Sequence, residues 1–318
     1  MSILGIHHIT SLASDPQRNL EFYTGFLGLR LVKQTVNFDA PDVYHLYYGD
    51  ELGHPGTILT FFPFPDAARG KHGAGETTAV AFSVPTVSFD FWIDRLARNG
   101  IKFEGPGKRF DEDFISFEDP DGMPVELFED VSTNDLPGWP GGAVPTPYAL
   151  RKLHGVTFTH QHLADAEAFL TGMMGFRIGV SDGNRHRFFA GTGENAATID
   201  IVVEPAAVRS RQSAGSVHHI AWRVPTNEEQ MQWRLKLIED GHGVTPIIDR
   251  MYFRSIYFRE PGGVLFEIAT DPPGFAVDES ADELGTHLKL PSWLELNRPK
   301  IERVLPPLKL PGSLRVAI

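Results

Sequence analysis

The chain has no cysteine in 318 residues. That excludes disulfides, thiolate metal sites and cysteine nucleophiles, so any bound metal must be held by His, Asp or Glu. No apolar run approaches the ~18 residues that a membrane-spanning helix needs. Basic residues are in the minority, 29 Lys and Arg against 41 Asp and Glu, and they form no run. The net charge of −12 repels nucleic acid and anionic membranes. The opening "MSILGIHHIT" lacks the basic and long apolar regions of a signal peptide, so a cytoplasmic location is expected. Tyrosine is scarce (7) beside phenylalanine (23), and Gly (31) and Pro (24) are plentiful. Many short strands, joined by turns around an aromatic interior, suit that composition.

The chain repeats itself. "HHITSLASDPQRNLEFYTGFLGLRLV" at 7–32 matches "HGVTFTHQHLADAEAFLTGMMGFRIG" at 154–179, and 77–101 matches 216–244. "ISFEDPDGMPVELFED" at 115–130 parallels "IYFREPGGVLFEIATD" at 256–271. The order is module 1 (about 4–64), module 2 (77–130), module 3 (152–204) and module 4 (216–270). Each reads as strand, helix and three strands, which predicts an α+β protein of four tandem βαβββ modules. Asp15 followed by Pro16 starts the first helix, while Thr226 with Glu229 starts the last, which ends near Gly241. Residues 131–150 are rich in Pro and Gly and read as a linker. The expected division is an N-terminal domain (1–130), the linker, a C-terminal domain (151–275) and a tail (276–318). In the tail, "SWLELNRPKIERVL" suggests a short helix limited or kinked by Pro299.

Two histidine doublets lie in similar strands, in "GIHHIT" and "VHHIAW". Aligning modules 2 and 4 on "VP" sets His219 opposite Ala79 and His218 opposite Thr78. Their last strands set Glu267 opposite Glu126. Aligning modules 1 and 3 on Gly28 and Gly175 sets His7 opposite His154 and His8 opposite Gly155. Modules 1 and 4 thus stand out. If they pair across a pseudo-twofold axis, His8, His219 and Glu267 converge in one cup, and Thr60 takes the fourth equivalent position. Two imidazoles and one carboxylate cover one face of an octahedral ion and leave the other positions open. An Fe(II) centre so held can take a phenolate and dioxygen side by side, whereas a fourth protein ligand suits Lewis-acid isomerisation. Neighbouring strand residues face opposite ways, so one histidine of each doublet points into the cup unless the strand is bulged. Thr10 shares the face of His8.

These segments, with "LVKQTVNFDAPDVYHLYYGDELGHPGTILTFFP", "GNRHR" and "YFRSIYFREPGGVLFEIATDPPGF", make the chain resemble the hydroquinone-type ring-cleaving dioxygenases of the vicinal oxygen chelate superfamily. The resemblance runs from about residue 3 to 290. It implies two cup-shaped mixed-sheet half-barrels, with module 1 paired to module 4 and module 2 to module 3. It implies Fe(II) held by His8, His219 and Glu267, although Mn(II) or another divalent ion fits the same ligands. It also implies active-site roles for His7, Thr10, His218, Arg250 and Tyr257, and O2-dependent cleavage next to a ring hydroxyl of a hydroquinone or related phenol. His218 or His7 would move protons, and Tyr257 and Arg250 would hold substrate oxygens. Whether Tyr257 and Glu267 share a face depends on the loop length around "EPGG", which the sequence leaves open.

Blander readings fit other residues. Glu126, without partner histidines, reads as structural or exposed, and the module-3 register makes His154 a packing or hydrogen-bonding residue. His45 and His186 occupy similar places in modules 1 and 3, which suggests a shared structural role. "KHGAGE" lacks phosphate-loop spacing. Two rival functions remain: a glyoxalase-type isomerase or lyase using Ni, Co or Zn, and a non-catalytic binder of aromatics or quinones. The expected partners are a small aromatic substrate and O2, with no nucleic acid and no membrane. The tail offers a surface for a homo-oligomer.

Overall fold

A computed structural model describes residues 1–193 and 196–310. Module 1 comprises β1 (Ile6–Ala13), α1 (Pro16–Leu20), β2 (Arg30–Asn37), β3 (Ala40–Gly49) and β4 (Ile58–Pro63). Module 2 comprises β5 (Glu76–Val84), α2 (Phe89–Arg98), β6 (Phe103–Arg109), β7 (Glu112–Glu118) and β8 (Pro124–Glu129). Module 3 comprises β9 (Lys152–His160), α3 (Ala164–Ala168), β10 (Arg177–Asp182), β11 (Arg185–Ala190) and β12 (Ala197–Val203). Module 4 comprises β13 (Val217–Val224), α4 (Asn227–Glu239), β14 (Ile248–Asp249), β15 (Arg254–Arg259) and β16 (Leu265–Thr270).

The helix signals act as read. Asp15 accepts from the backbone N–H groups of Gln17 and Arg18, and Thr226 accepts from that of Glu229. Both α1 and α3 run on into a single wider π-turn before the next strand, Glu21–Phe26 and Phe169–Met173. The helices bury one side against the sheets, with Trp92 and Leu96 on α2 matched by Trp233 and Leu237 on α4. In the tail, α5 (Arg298–Val304) carries Pro299 in its first turn. There the ring costs no hydrogen bond, so Pro299 starts the helix and does not kink it.

Sixteen strands form two eight-stranded mixed sheets, in the orders β14-β15-β16-β13-β1-β4-β3-β2 and β10-β11-β12-β9-β5-β8-β7-β6. Module 4 therefore pairs with module 1, and module 3 with module 2. Each curled sheet is centred on an antiparallel pair of first strands, β1 with β13 and β5 with β9. Each is a cup with a two-residue centre: Ile9 faces Ile220 at the middle of the first. Each cup thus draws one module from each half of the chain.

Two segments outside the repeat are pinned to it. In 131–150, Tyr148 stacks on Phe91 at 4.6 Å and its carbonyl accepts from the Trp92 indole. Val144 packs so close to Gly28 (φ +76°) that a Cβ there would lie 2.8 Å from its Cγ2. After module 4, Phe275 and Leu284 pack with Val32, Tyr252 and Phe253 beside the first cup. Lys33, fully buried on β2, donates to Asp278 at 2.7 Å and also to Glu279.

Candidate metal centre

The ladders set the site by register. His8 pairs with Ala221, and Ala221 with Glu267, so these residues form one row across β1, β13 and β16. His219 pairs with Thr10 one step away. The twofold through Ile9 and Ile220 exchanges His8 with His219, and it exchanges Glu267 with Thr60, the partner of Thr10 on β4. Tyr257 pairs directly with Glu267. The two therefore share a face, which settles the parity around "EPGG".

His8, His219 and Glu267 are all buried, and one ligand atom from each lies within 4.8 Å of the others. Glu267 Oε2 is 2.8 Å from His219 Nε2 and 3.4 Å from His8 Nε2. Yet Oε2 is buried without a hydrogen-bond partner, while Oε1 accepts from the Ser255 hydroxyl at 2.5 Å. A carboxylate oxygen on which two ring nitrogens converge, all buried, is a donor set shaped for a cation. Burial opposes ionisation of Glu267, but the adjoining His8 and His219 hold its carboxyl well below the usual range. Burial shifts the His219 pKa downward, toward the neutral ring that a ligand must offer.

The doublets have a local cause. Between Ile6 and His8 the β1 register slips by one residue, and between Val217 and His219 the β13 register does the same. His7 and His218 are therefore the extra residues of two β-bulges, which release them from strict alternation. Each turns its Nδ1 onto the Nδ1 of its neighbour, at 2.9 Å for His7–His8 and 2.7 Å for His218–His219. If His8 and His219 use Nε2 as a lone-pair donor, their Nδ1–H groups donate to His7 and His218. His7 is buried, with its ring against Phe253 and a hydrogen bond to the Thr270 carbonyl. It does not line the cavity, and both its nitrogens are engaged. His218 does line it, and burial lowers its pKa to about 3. Its ring is thus neutral, and when it accepts from His219 its own proton sits on Nε2, toward the cavity.

A cavity of about 640 Å3 opens over these residues, in the range of small-molecule pockets. Phe62, Phe64 and Phe253 wall it, with Tyr257 and Arg250 on one side and His45 and Tyr47 on the other. Arg250 donates to the Tyr257 hydroxyl at 3.2 Å and to Asp39 at 3.0 Å. Burial and the Glu267 charge raise the Tyr257 pKa, so it offers a neutral hydroxyl. His45, Tyr47, Ser255 and Asp39 were not singled out for the site from sequence. For His45 the reason is a slip of one residue. The ladder sets Tyr47 opposite Thr60 and Arg187 opposite Asp200, so His45 corresponds to Arg185 and not to His186. His186 instead bonds Ser181 near the sheet edge.

The second cup repeats the geometry with other chemistry. Thr78 and His154 occupy its two bulges. Glu126, the counterpart of Glu267, is clamped by Arg109 through two 2.6 Å bonds. Asp200, the counterpart of Thr60, is bound by Arg185 and Arg187. Guanidinium groups therefore stand where a cation would. At Gly155, the counterpart of His8, a Cβ would lie 2.1 Å from the Thr198 carbonyl oxygen.

This pair of duplicated cups is the architecture of one superfamily. The chain belongs to the glyoxalase/bleomycin resistance protein/dioxygenase superfamily, whose profile matches residues 5–127 and 152–268. Within it, the chain stands with relatives named as ring-cleaving dioxygenases. It is 41% identical to MhqO of Bacillus subtilis over 307 residues, 96% of this chain and 97% of that one. It is 36% identical to the chlorohydroquinone/hydroquinone 1,2-dioxygenase of Sphingobium indicum, covering 92% of each. A crystal structure described as a dioxygenase from Bacillus subtilis superposes with a TM-score of 0.93 at 40% identity, covering 98% of this chain and 99% of that one. Glyoxalase I of Zea mays shares the fold alone, with a TM-score of 0.62 at 14% identity over 84% of this chain and 92% of that one. Among the described residues, no helix is long and apolar enough to cross a membrane.

Proposed function

We propose that the protein cleaves the ring of a hydroquinone or related phenol with dioxygen, next to a ring hydroxyl, using Fe(II) held by His8, His219 and Glu267. Both oxygen atoms enter the product. The observation that carries this reading is the unpartnered Glu267 Oε2 facing two imidazole Nε2 atoms beneath an aromatic-walled cavity. When bound, the ion supplies Lewis acidity to the ring hydroxyl and an electron path between ring and dioxygen.

The remaining work falls to the side chains. His7 and His218 fix the tautomer and aim of the ligand rings. Ser255 holds Glu267 by its other oxygen, which leaves Oε2 for the ion. Tyr257, braced by Arg250, offers a hydroxyl to a substrate oxygen, and the His218 Nε2–H offers a second donor. Phe62, Phe64 and Phe253 flank the ring and keep water out. Thr60 adds no fourth charged ligand, which disfavours the four-ligand isomerase.

The test is anaerobic reconstitution with Fe(II), metal content verified, followed by a panel of hydroquinones and catechols. Oxygen uptake with loss of the aromatic absorbance is expected for at least one hydroquinone. A fully loaded protein that takes up no oxygen across the panel overturns the proposal.

A further inference from the structure

Opposite Glu267 the first cup holds a chain of four hydrogen-bonding side chains. The Tyr47 hydroxyl lies 2.9 Å from His45 Nδ1, His45 Nε2 lies 2.8 Å from Thr60 Oγ1, and Thr60 Oγ1 donates to Thr10 Oγ1 at 2.9 Å. Thr60 spends its proton on Thr10, so it accepts from the His45 Nε2–H, and His45 Nδ1 accepts from Tyr47. Each link therefore has one direction. Thr10 receives a bond and keeps its own proton. Thr10 lines the cavity beside His219, and no described residue accepts that proton. Tyr47, Thr60 and Thr10 are buried, and His45 is enclosed by the rings of Tyr47 and Phe62.

The twofold gives the chain its meaning. It carries Glu267 onto Thr60, Tyr257 onto Tyr47 and Ser255 onto His45. Ser255 steadies Glu267 from one side, and His45 steadies Thr60 from the other. In the second cup the equivalent side chains are Thr157, Asp200, Arg185 and Arg187, a charged cluster bonded within itself. The first cup has the same layout with every member uncharged.

We propose that Tyr47, His45 and Thr60 form a positioning relay that turns the Thr10 hydroxyl proton into the cavity, where it donates to an anionic substrate oxygen bound beside His219. This rests on the phenol-binding reading above and assigns His45 a role in it. A neutral relay stabilises the anion without adding charge to the ligand set. A hydroxyl held by one fixed acceptor role loses no freedom when it donates, which is what makes it effective.

The test uses the Zn(II)-loaded protein, which does not consume oxygen, and 4-nitrophenol, whose phenolate alone is yellow. The parent should bind the probe with its pKa below that in water. His45→Leu should raise the bound pKa by about one unit, a tenfold loss of preference for the phenolate. Thr10→Val should do the same, and the double variant should be no worse than Thr10→Val alone. His45→Gln, which keeps a donor toward Thr60 and an acceptor toward Tyr47, should restore most of the shift. In the Fe(II) enzyme His45→Leu should lower kcat more than it changes KM. If His45→Leu does not fold, Thr60→Val cuts the same chain. A parent that binds no probe, or does not lower its pKa, overturns the phenol reading and the relay with it. A parent that lowers the pKa, with His45→Leu or Thr60→Val indistinguishable from it, overturns the relay alone.

Discussion

Replacing His7 by phenylalanine separates the histidine that holds from the histidine that ligates. His7 Nδ1 is 2.9 Å from His8 Nδ1, and both rings are buried. With an ion on His8 Nε2, the His8 proton must sit on Nδ1, and His7 is its acceptor. Phenylalanine preserves the contact with Phe253 but leaves that N–H without a partner. A buried donor so stranded costs about 1–3 kcal/mol, a factor of roughly 5 to 150. The ion-free protein escapes the cost, because His8 can move its proton to Nε2 and donate it to Glu267 Oε2, 3.4 Å away. The penalty therefore falls on the metal-bound form, and affinity should drop ~10–100-fold. Competition for Mn(II) or Zn(II) against a fluorescent chelator measures it, with circular dichroism to confirm the fold. His7 does not line the cavity, so KM for the aromatic should hold at saturating metal. Affinity within twofold of the parent would refute the reasoning about tautomers.

Arg109→Met should strand the buried Glu126 carboxylate in the second cup, destabilising the protein by ~3–5 kcal/mol in urea melts while leaving metal affinity unchanged. Lys33→Met should free Asp278 and Glu279 from their buried cation, and limited proteolysis should then cut first between 275 and 285. Glu260 lies in the β15–β16 turn, where burial raises its pKa to about 7 while backbone N–H groups of Gly262 and Val264 bond its carboxyl. A raised carboxyl stabilises the fold below its unfolded pKa and loses that contribution as pH climbs through 7. Glu260→Gln should therefore gain stability relative to the parent between pH 5 and 7, by roughly 3 kcal/mol at most. The neighbouring His160, 3.4 Å away and lowered to about 4 by burial, is neutral between pH 5 and 7 and adds no charge change of its own there. A constant difference across that range would refute the assignment.

Repetition made the fold legible. Each module carries the same strand and helix periodicities, so the chain announces four units, and comparing them isolates His8, His219, Glu267 and Thr60 without a structure. What stayed hidden depends on register. The bulges at His7 and His218 exist only relative to the partner strand, and they overturn the simple alternation that would send those rings away. His45 was misjudged by one residue because a sequence motif does not say which neighbour faces inward. The Arg109–Glu126 clamp joins residues of ordinary type whose meaning lies in their being buried together. The Ser255–Glu267 bond and the Tyr47–His45–Thr60 chain required the twofold, which links strands from opposite ends of the chain.

Gly155 sets a barrier between the two cups. The second cup has carboxylates at two of its four key positions, so a metal site there looks two histidines away. A side chain at 155 would strike the Thr198 backbone, however, at 2.1 Å from Cβ alone. No choice of rotamer relieves a clash at Cβ. With that strand closed over the glycine and arginines on both acids, building a site there requires several changes at once. The second cup is a scaffold whose own packing and charges keep it from competing with the first for metal.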